Sequence, residues 1–160
     1  MVIAYSLKNT GSKVIDTTQF NHNFFVMDGQ TTGPGVVARF QFEPRALNDF
    51  AGVAEVRSKE IVFLKKLEGQ QRVYVNLDGY GSTASDYKIA VENRNAGIGV
   101  AITGDKPLAK LIFWSRSRVV GPEPYIHLRI DPGKTENWEN RYRFYTLDEE
   151  YFKGGKTRKK

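Results

Sequence analysis

Residues 98–115 of the chain have the sequence IGVAITGDKPLAKLIFWS, in which two short apolar segments flank a turn. Ile98 to Thr103 and Ala109 to Ser115 are rich in the β-branched and aromatic residues that favour strands. The intervening Gly104-Asp105-Lys106-Pro107 contains the residue types that initiate a turn and fix its backbone. This stretch therefore predicts two strands joined by a turn.

The same pattern extends over nearly the whole chain, with further turns at sequences such as Asn9-Thr10-Gly11 and Asp131-Pro132-Gly133. Arg45 to Phe50 has the composition for one helical turn, and no longer helix is predicted. About eleven short strands without a long helix predict an all-β fold, an antiparallel sandwich or barrel. Besides the two above, the predicted strands are Val2 to Lys8, Lys13 to Phe20, Phe24 to Met27, Val36 to Phe42, Ala54 to Leu64, Arg72 to Leu77, Tyr87 to Glu92, Tyr125 to Ile130 and Asn137 to Thr146.

The composition predicts one domain. With 160 residues, 40% of them hydrophobic, the chain can bury a single core. The only boundary in the sequence precedes Lys153. We therefore expect a β-sandwich domain over residues 1–152, with part of its N-terminal side missing because the chain begins within a predicted strand. Residues 153–160 are expected to form a basic disordered tail.

The charge distribution excludes several classes of partner. Five of the 24 Lys and Arg residues lie in the tail, which leaves 19 against 18 Asp and Glu residues in the body. A nearly neutral body argues against nucleic-acid binding, which requires a basic face. The chain has no cysteine, so disulfides and thiol chemistry are excluded. It also has no apolar run of the ~20 residues that span a membrane. We expect a cytoplasmic protein.

Two residues are candidates for acid/base chemistry. His22 lies in Phe20-Asn21-His22-Asn23-Phe24, where a strand pattern places Phe20, His22 and Phe24 on one face. Glu123 lies between Pro122 and Pro124, which should present its carboxylate rigidly at the mouth of a strand. A histidine and a carboxylate are the usual partners in general acid/base catalysis. The simpler interpretations are a hydrogen-bonded rim histidine and a surface glutamate.

Four segments together resemble the galactose mutarotase (aldose 1-epimerase) family in order and spacing. They are the His22 segment, Thr103-Gly104-Asp105-Lys106-Pro107-Leu108, Gly121-Pro122-Glu123-Pro124-Tyr125, and Pro132-Gly133 followed by Trp138 and Arg141-Tyr142-Arg143-Phe144. The resemblance covers Met1 to Leu147 and corresponds to the C-terminal half of the family's large β-sandwich. It implies an antiparallel, galactose mutarotase-like β-sandwich that is part of a β-supersandwich.

The resemblance also implies a reaction: interconversion of the α and β anomers of a free aldose. Glu123 would act as the base on the anomeric hydroxyl, and His22 as the acid on the ring oxygen. Substrate-binding candidates are Asn21, Asp78 and Trp114. Asp78 precedes Gly79 and also fits an ordinary turn, and Trp114 also fits a core position. No cofactor or metal is expected, since no second ligand lies at a suitable spacing from His22.

Departures from the family leave alternatives open. The family's N-terminal half, with a substrate-binding arginine and a second histidine, has no match here, and His127 fits the polar face of a strand. We therefore expect a homodimer or pairing with a missing N-terminal half. The alternative function is a non-catalytic carbohydrate-binding or architectural β-sandwich domain. Catalysis requires His22 and Glu123 to face one pocket. We expect the distance between the two side chains to be roughly that of a sugar ring.

Overall fold

The computed structural model describes residues 1–147, which form two antiparallel sheets. The seven-stranded sheet has the order β1-β12-β9-β8-β3-β6-β5, and the five-stranded sheet has the order β2-β11-β10-β7-β4. The strands are β1 (Val2–Lys8), β2 (Ile15–Phe20), β3 (Val36–Phe40), β4 (Arg45–Ala46), β5 (Ala54–Arg57), β6 (Glu60–Phe63), β7 (Val73–Asp78), β8 (Lys88–Asn93), β9 (Ile98–Gly104), β10 (Lys110–Arg116), β11 (Val119–Ile130) and β12 (Thr135–Thr146).

The predicted all-β antiparallel sandwich is confirmed. Alternation along β10 shows how the sheets pack: Leu111 and Phe113 are fully buried, whereas Lys110 and Arg116 are exposed. Because successive side chains of a strand point to opposite faces, the first pair belongs to the core between the sheets and the second to the outer face. The core between the sheets is one continuous cluster that includes residues from both sheets, so the two layers form a single folded body. A small separate cluster contains Ala90, Ala101 and Tyr145.

The quoted stretch of residues 98–115 has the predicted strands, but they do not pair with each other. Ile98–Gly104 is β9 of the seven-stranded sheet, and Lys110–Arg116 is β10 of the five-stranded sheet. The turn at residues 105–109 therefore passes from one layer to the other. A turn sequence indicates a change of direction but not which strand becomes the neighbour.

Three local predictions are wrong. Residues 24–27 form no strand and make one isolated bridge, Phe25 with Val120. Residues 54–64 form the β5–β6 hairpin, because Ser58 adopts a left-handed backbone with φ of 52° and reverses the chain. The predicted helical turn at residues 45–50 is instead β4 and an irregular extension. There the Asn48 side chain donates to the Tyr74 carbonyl (2.8 Å) and accepts from the Asn76 amide (2.9 Å).

Asn48 thus hydrogen-bonds to β7 as a strand backbone would, and this competes with helix formation. A short 3₁₀ turn, Ala84–Asp86, was not predicted. The predicted domain end at residue 152 and the predicted tail at residues 153–160 lie outside the described residues.

Candidate functional site

The candidate site lies on the outer face of the five-stranded sheet. The antiparallel register aligns Tyr74 with Trp114, Trp114 with Gly121, and Tyr125 with Phe20. Glu123 is on the same face as Tyr125, since the two are separated by one residue of β11. Four strands therefore bring aromatic side chains and one carboxylate to a common surface.

Glu123 lies inside β11, not at its mouth as we predicted. Pro122 and Pro124 are buried in this strand and face Phe113 and Leu111 of β10 in the register. Proline normally interrupts a central strand because it cannot donate to the ladder. Here β2 pairs only with Tyr125–Ile130, and the next backbone pairing on that side is the bridge between Val120 and Phe25. Residues 121–124 therefore have no ladder partner on that side, and the prolines are tolerated.

The segment that bears His22 fills this interruption with side-chain hydrogen bonds. Asn23 is buried, and its Nδ2 donates to the Pro122 carbonyl at 2.9 Å. Gly121 permits the close approach, because a Cβ at that position would lie 2.2 Å from the Asn23 carbonyl oxygen. Asn23 and Gly121 together hold residues 21–24 against β11, next to Glu123.

His22 and Glu123, 101 positions apart in sequence, are in direct contact. Nε2 of His22 lies 3.1 Å from Oε1 of Glu123, and their side chains are 37% and 6% exposed. We expected a separation of roughly a sugar ring, and the observed distance is much shorter. The pair combines a solvent-accessible imidazole with a carboxylate that is almost completely buried.

Burial raises the pKa of the Glu123 carboxyl above its ordinary value, because a charged carboxylate is less well solvated in the protein. The charges of His22 and Lys110 and a hydrogen bond from Tyr125 lower this pKa, but by less than burial raises it. Perturbation of this kind is typical of carboxyl groups that exchange protons during catalysis.

Aromatic rings enclose the imidazole on several sides. Phe24 stacks on His22 with ring centroids 4.0 Å apart and planes 14° apart. Trp114 contacts both rings edge-on, at 5.3 Å from His22 and 5.4 Å from Phe24. Phe20 lies 6.1 Å from His22 and stacks on Tyr125 at 4.2 Å. The predicted common face of Phe20, His22 and Phe24 is therefore present, although residues 21–24 are not a strand.

The other predicted substrate-binding residues differ in their positions. Trp114 is at the site and partly exposed. Asp78 lies on the same sheet face, near the far end of β7, where it pairs with Arg45 and accepts a hydrogen bond from the Gly79 amide. Asn21 points away from the site, and its Nδ2 donates to the Tyr5 (2.7 Å) and Tyr142 (3.3 Å) hydroxyls.

The second histidine has a separate partner on the same sheet. Nε2 of His127 lies 2.7 Å from Oδ1 of Asp16, and Arg129 donates to the other Asp16 oxygen at 2.8 Å. His127 is 54% exposed and Asp16 is 52% exposed. This agrees with the predicted position of His127 on the polar face of its strand.

Sequence reasoning missed three residues at the site. Tyr125 hydrogen-bonds to Glu123, and burial and the nearby carboxylate raise the pKa of its phenol. Lys110 lies over the Tyr125 ring, 5.1 Å from its centroid. Asn23 was identified only as a neighbour of His22 in the sequence, with no role of its own. The available signal was alternation: Tyr125 follows Glu123 by two positions and must share its face if the segment is a strand.

Within residues 1–147, no group of three or more His, Cys, Asp or Glu side chains has the arrangement of a metal site. No helix in the described part of the chain is long and apolar enough to cross a membrane.

No protein-family model matches the sequence, and no curated protein matches it. Solved structures do. A provisionally assigned aldose 1-epimerase from Klebsiella pneumoniae aligns with a TM-score of 0.62 and 16% identity over 92% of this chain. One from Escherichia coli K12 aligns with a TM-score of 0.61 and 12% identity over 91%. The chain has a galactose mutarotase-like fold.

The Slr1438 protein from Synechocystis sp. PCC 6803 gives a similar result, with a TM-score of 0.62 and 11% identity over 91% of this chain. This chain spans 43% of the Klebsiella structure, 50% of the Synechocystis structure and 56% of the E. coli structure. At such identities the likeness concerns the fold alone. Function must be argued from the site.

Proposed function

We propose that the chain provides the acid/base centre of an aldose 1-epimerase-like isomerase that interconverts the α and β anomers of a free hexose. The observation that supports this most directly is the contact between His22 Nε2 and Glu123 Oε1 on an open, ring-lined sheet face. Glu123 is the base, His22 is the acid, and no cofactor takes part.

The short distance between the two groups suits this reaction. In a cyclic aldose, the anomeric hydroxyl oxygen and the ring oxygen are bonded to the same carbon, so they are closer together than two hydrogen-bonded atoms. An acid and a base that act on these oxygens, each within ~2.6 to 3.2 Å of its oxygen, can therefore lie close to each other. A bound sugar would replace the direct contact with one hydrogen bond from each group.

The proton transfers balance within the pair. The Glu123 carboxylate removes the anomeric hydroxyl proton, and that electron pair forms the aldehyde C=O as the bond from the anomeric carbon to the ring oxygen breaks. Protonated His22 gives its proton to the departing ring oxygen. Rotation of the aldehyde and return of both protons close the ring as the other anomer. The raised pKa of Glu123 favours this role, because a carboxylate that binds protons more readily is the stronger base.

Ring faces near the pair supply a place for the sugar. Trp114 is partly exposed beside His22, and Phe24 and Tyr74 are 57% and 48% exposed. Aromatic faces pack well against the apolar faces of sugars. We infer that Trp114 contacts the sugar and that Asp78 bonds a hydroxyl at the far end. Asn21 would contribute by holding the His22 segment.

The remaining part of the sugar-binding site would be supplied by residues outside this chain. The chain spans about half the length of its structural neighbours, and Phe24, Val26 and Phe144 are each more than half exposed. Such exposed apolar side chains favour contact with another folded surface. We infer pairing with a second copy or with a further N-terminal half. A chain that stays monomeric at high concentration in sedimentation would contradict pairing with a second copy.

A second candidate is a carbohydrate-binding domain without catalysis. The observation that favours it is the group of exposed rings, which requires no His22–Glu123 pair to bind sugar. Both candidates predict sugar contacts near Trp114, and only the first predicts turnover.

The test combines one assay of turnover with one of binding. Freshly dissolved α-glucose or α-galactose is followed by polarimetry with the parent chain and with Glu123→Gln, and the same samples are titrated by NMR. We expect faster mutarotation with the parent and a loss on the order of 10² to 10⁴ in kcat/KM with the variant. Sugar binding near Trp114 without acceleration by the parent would favour the binding domain. Equal acceleration by both proteins would exclude Glu123 as the base.

A further inference from the structure

We propose that Tyr142, on the opposite sheet, is a positioning residue that holds His22 over Glu123 through one buried hydroxyl group. This inference rests on the proposed function, although its first measurement does not require turnover. Tyr142 is 7% exposed in β12 and belongs to the core between the sheets. It touches neither His22 nor Glu123 in the described contacts.

The Tyr142 hydroxyl bonds both asparagines that flank His22. It donates to Asn23 Oδ1 at 2.9 Å and accepts from Asn21 Nδ2 at 3.3 Å. Asn23 in turn donates to the carbonyl of Pro122, the residue before Glu123, at 2.9 Å. A single hydroxyl therefore links the two neighbours of the proposed acid to the strand of the proposed base.

The location of this bridge explains why it is needed. Backbone pairing between β2 and β11 ends at Phe20 and resumes only at the Phe25 bridge, so residues 21–24 lack ladder bonds to β11. In their place, the segment is held by side-chain hydrogen bonds, of which those from Tyr142 to Asn23 and from Asn23 to Pro122 are buried. Buried, satisfied networks of this kind rigidify the groups they connect. An ordinary tyrosine hydroxyl is already protonated near neutral pH, and burial raises the pKa of Tyr142 further, so the group is available as a donor.

Tyr142→Phe removes the hydroxyl and keeps the ring. Tyr145→Phe is the matched control: Tyr145 is also 7% exposed, lies on the same strand, and forms an equally short 2.9 Å bond from its hydroxyl to Glu92 on the other face. The two variants lose the same group from equally buried positions. Of the two, Tyr142 is the one that forms the described hydrogen bonds to the His22 segment.

The first readout is the pKa of Glu123, measured by NMR of its side-chain carboxyl carbon. The His22 charge lowers this pKa, together with Lys110 and Tyr125. Displacing His22 should therefore raise the Glu123 pKa further in Tyr142→Phe, as in His22→Ala, and leave it unchanged in Tyr145→Phe. In a His22→Ala background, Tyr142→Phe should cause no additional rise, because no imidazole remains to be displaced.

The second readout is catalytic. We expect kcat/KM to fall ~10- to 100-fold in Tyr142→Phe, mostly through kcat, because small misplacement of a catalytic group costs this much. Asn23→Ala removes the same bridge from its other end and serves as the test if Tyr142→Phe does not fold. A Glu123 pKa that is the same in the parent, Tyr142→Phe and Asn23→Ala would overturn the proposal. If the parent chain shows no turnover, the proposed function fails, and the Glu123 pKa alone decides whether the bridge positions His22.

Discussion

Two histidine–carboxylate pairs lie on the outer side of the five-stranded sheet, and they differ in solvation. In the His127–Asp16 pair both side chains are about half exposed, and Arg129 shares the carboxylate. In the His22–Glu123 pair the carboxylate is 6% exposed. Bonds to His127 and Arg129 lower the pKa of Asp16, whereas burial raises the pKa of Glu123.

This difference shows that contact between a histidine and a carboxylate does not by itself indicate chemistry. Asp16 is held in its charged form by its hydrogen bonds to His127 and Arg129 and has little tendency to take a proton. Glu123 is largely deprived of solvation by burial and lies beside His22 and Tyr125. The His127 pair is the shorter of the two, at 2.7 Å against 3.1 Å, so distance alone would select the His127 pair.

The largest effect should come from removing each histidine in turn. His22→Ala should lower kcat/KM for mutarotation on the order of 10² to 10⁴, the usual contribution of one general acid. His127→Ala should stay within about twofold of the parent, because it removes an exposed ion pair of small energetic value. Polarimetry over a range of sugar concentrations measures both ratios. A comparable loss in the two variants would show that the pairs are not functionally different.

The strands were predictable, because local sequence patterns identify them. The enrichment of Ile98 to Thr103 and Ala109 to Ser115 in β-branched and aromatic residues identifies strands without knowledge of their neighbours. Long-range pairing was not predictable from such patterns: β9 and β10 are consecutive in sequence and lie in different sheets. The irregular segments were missed for the same reason. Asn48 and Asn23 replace backbone partners with side-chain amides, and that choice depends on the strand beside them.

The His22 and Glu123 positions could be selected from the sequence, but the geometry of the candidate site could not. His22 and Glu123 were selected from their motifs, and the structure brings them together. The distance between His22 and Glu123 was overestimated because the prediction used the size of the whole sugar. It did not consider that the two reacting oxygens are bonded to the same carbon. Asn21 was assigned to the sugar because it adjoins His22, yet neighbours in an extended segment point to opposite sides. Its amide accordingly bonds to Tyr5 and Tyr142.

A smaller effect is expected from the ring that covers the imidazole. Phe24 stacks on His22 and is 57% exposed, whereas Phe144 is 65% exposed and has no described ring contact with either histidine. Such an aromatic contact is worth about 0.5–1.5 kcal/mol, so Phe24→Ala should lower kcat/KM roughly 2- to 10-fold. Phe144→Ala is the matched control: it removes an exposed ring of the same apolar surface without the stack on His22, so it should lower kcat/KM less than Phe24→Ala does. Equal losses would indicate that both rings act through a shared surface and not through His22.

The smallest effects concern stability, and the two carboxylates should differ in sign. The pKa of Glu123 is raised above the 4.5 of an unperturbed group. Between 4.5 and the folded-state value, the folded protein binds more protons than the unfolded chain, so the free energy of unfolding falls as pH rises. Glu123→Gln removes this loss. Relative to the parent, the Glu123→Gln variant should therefore become more stable as pH rises from 4 to 7.

Asp16 should behave in the opposite way. Its pKa is lowered below the 3.8 of an unperturbed group, so its stabilising contribution is present above 3.8 and is lost as pH falls through the folded-state value. Asp16→Asn should therefore be less stable than the parent at pH 7 and should approach it in acid. Urea unfolding of the parent and both variants at several pH values measures the two slopes. Since a residue kept for catalysis commonly reduces stability, a gain at pH 7 for Glu123→Gln combined with lost turnover would mark Glu123 as the functional carboxylate. If both variants lost stability relative to the parent as pH rose, the predicted electrostatic difference between the His22–Glu123 and His127–Asp16 pairs would be refuted.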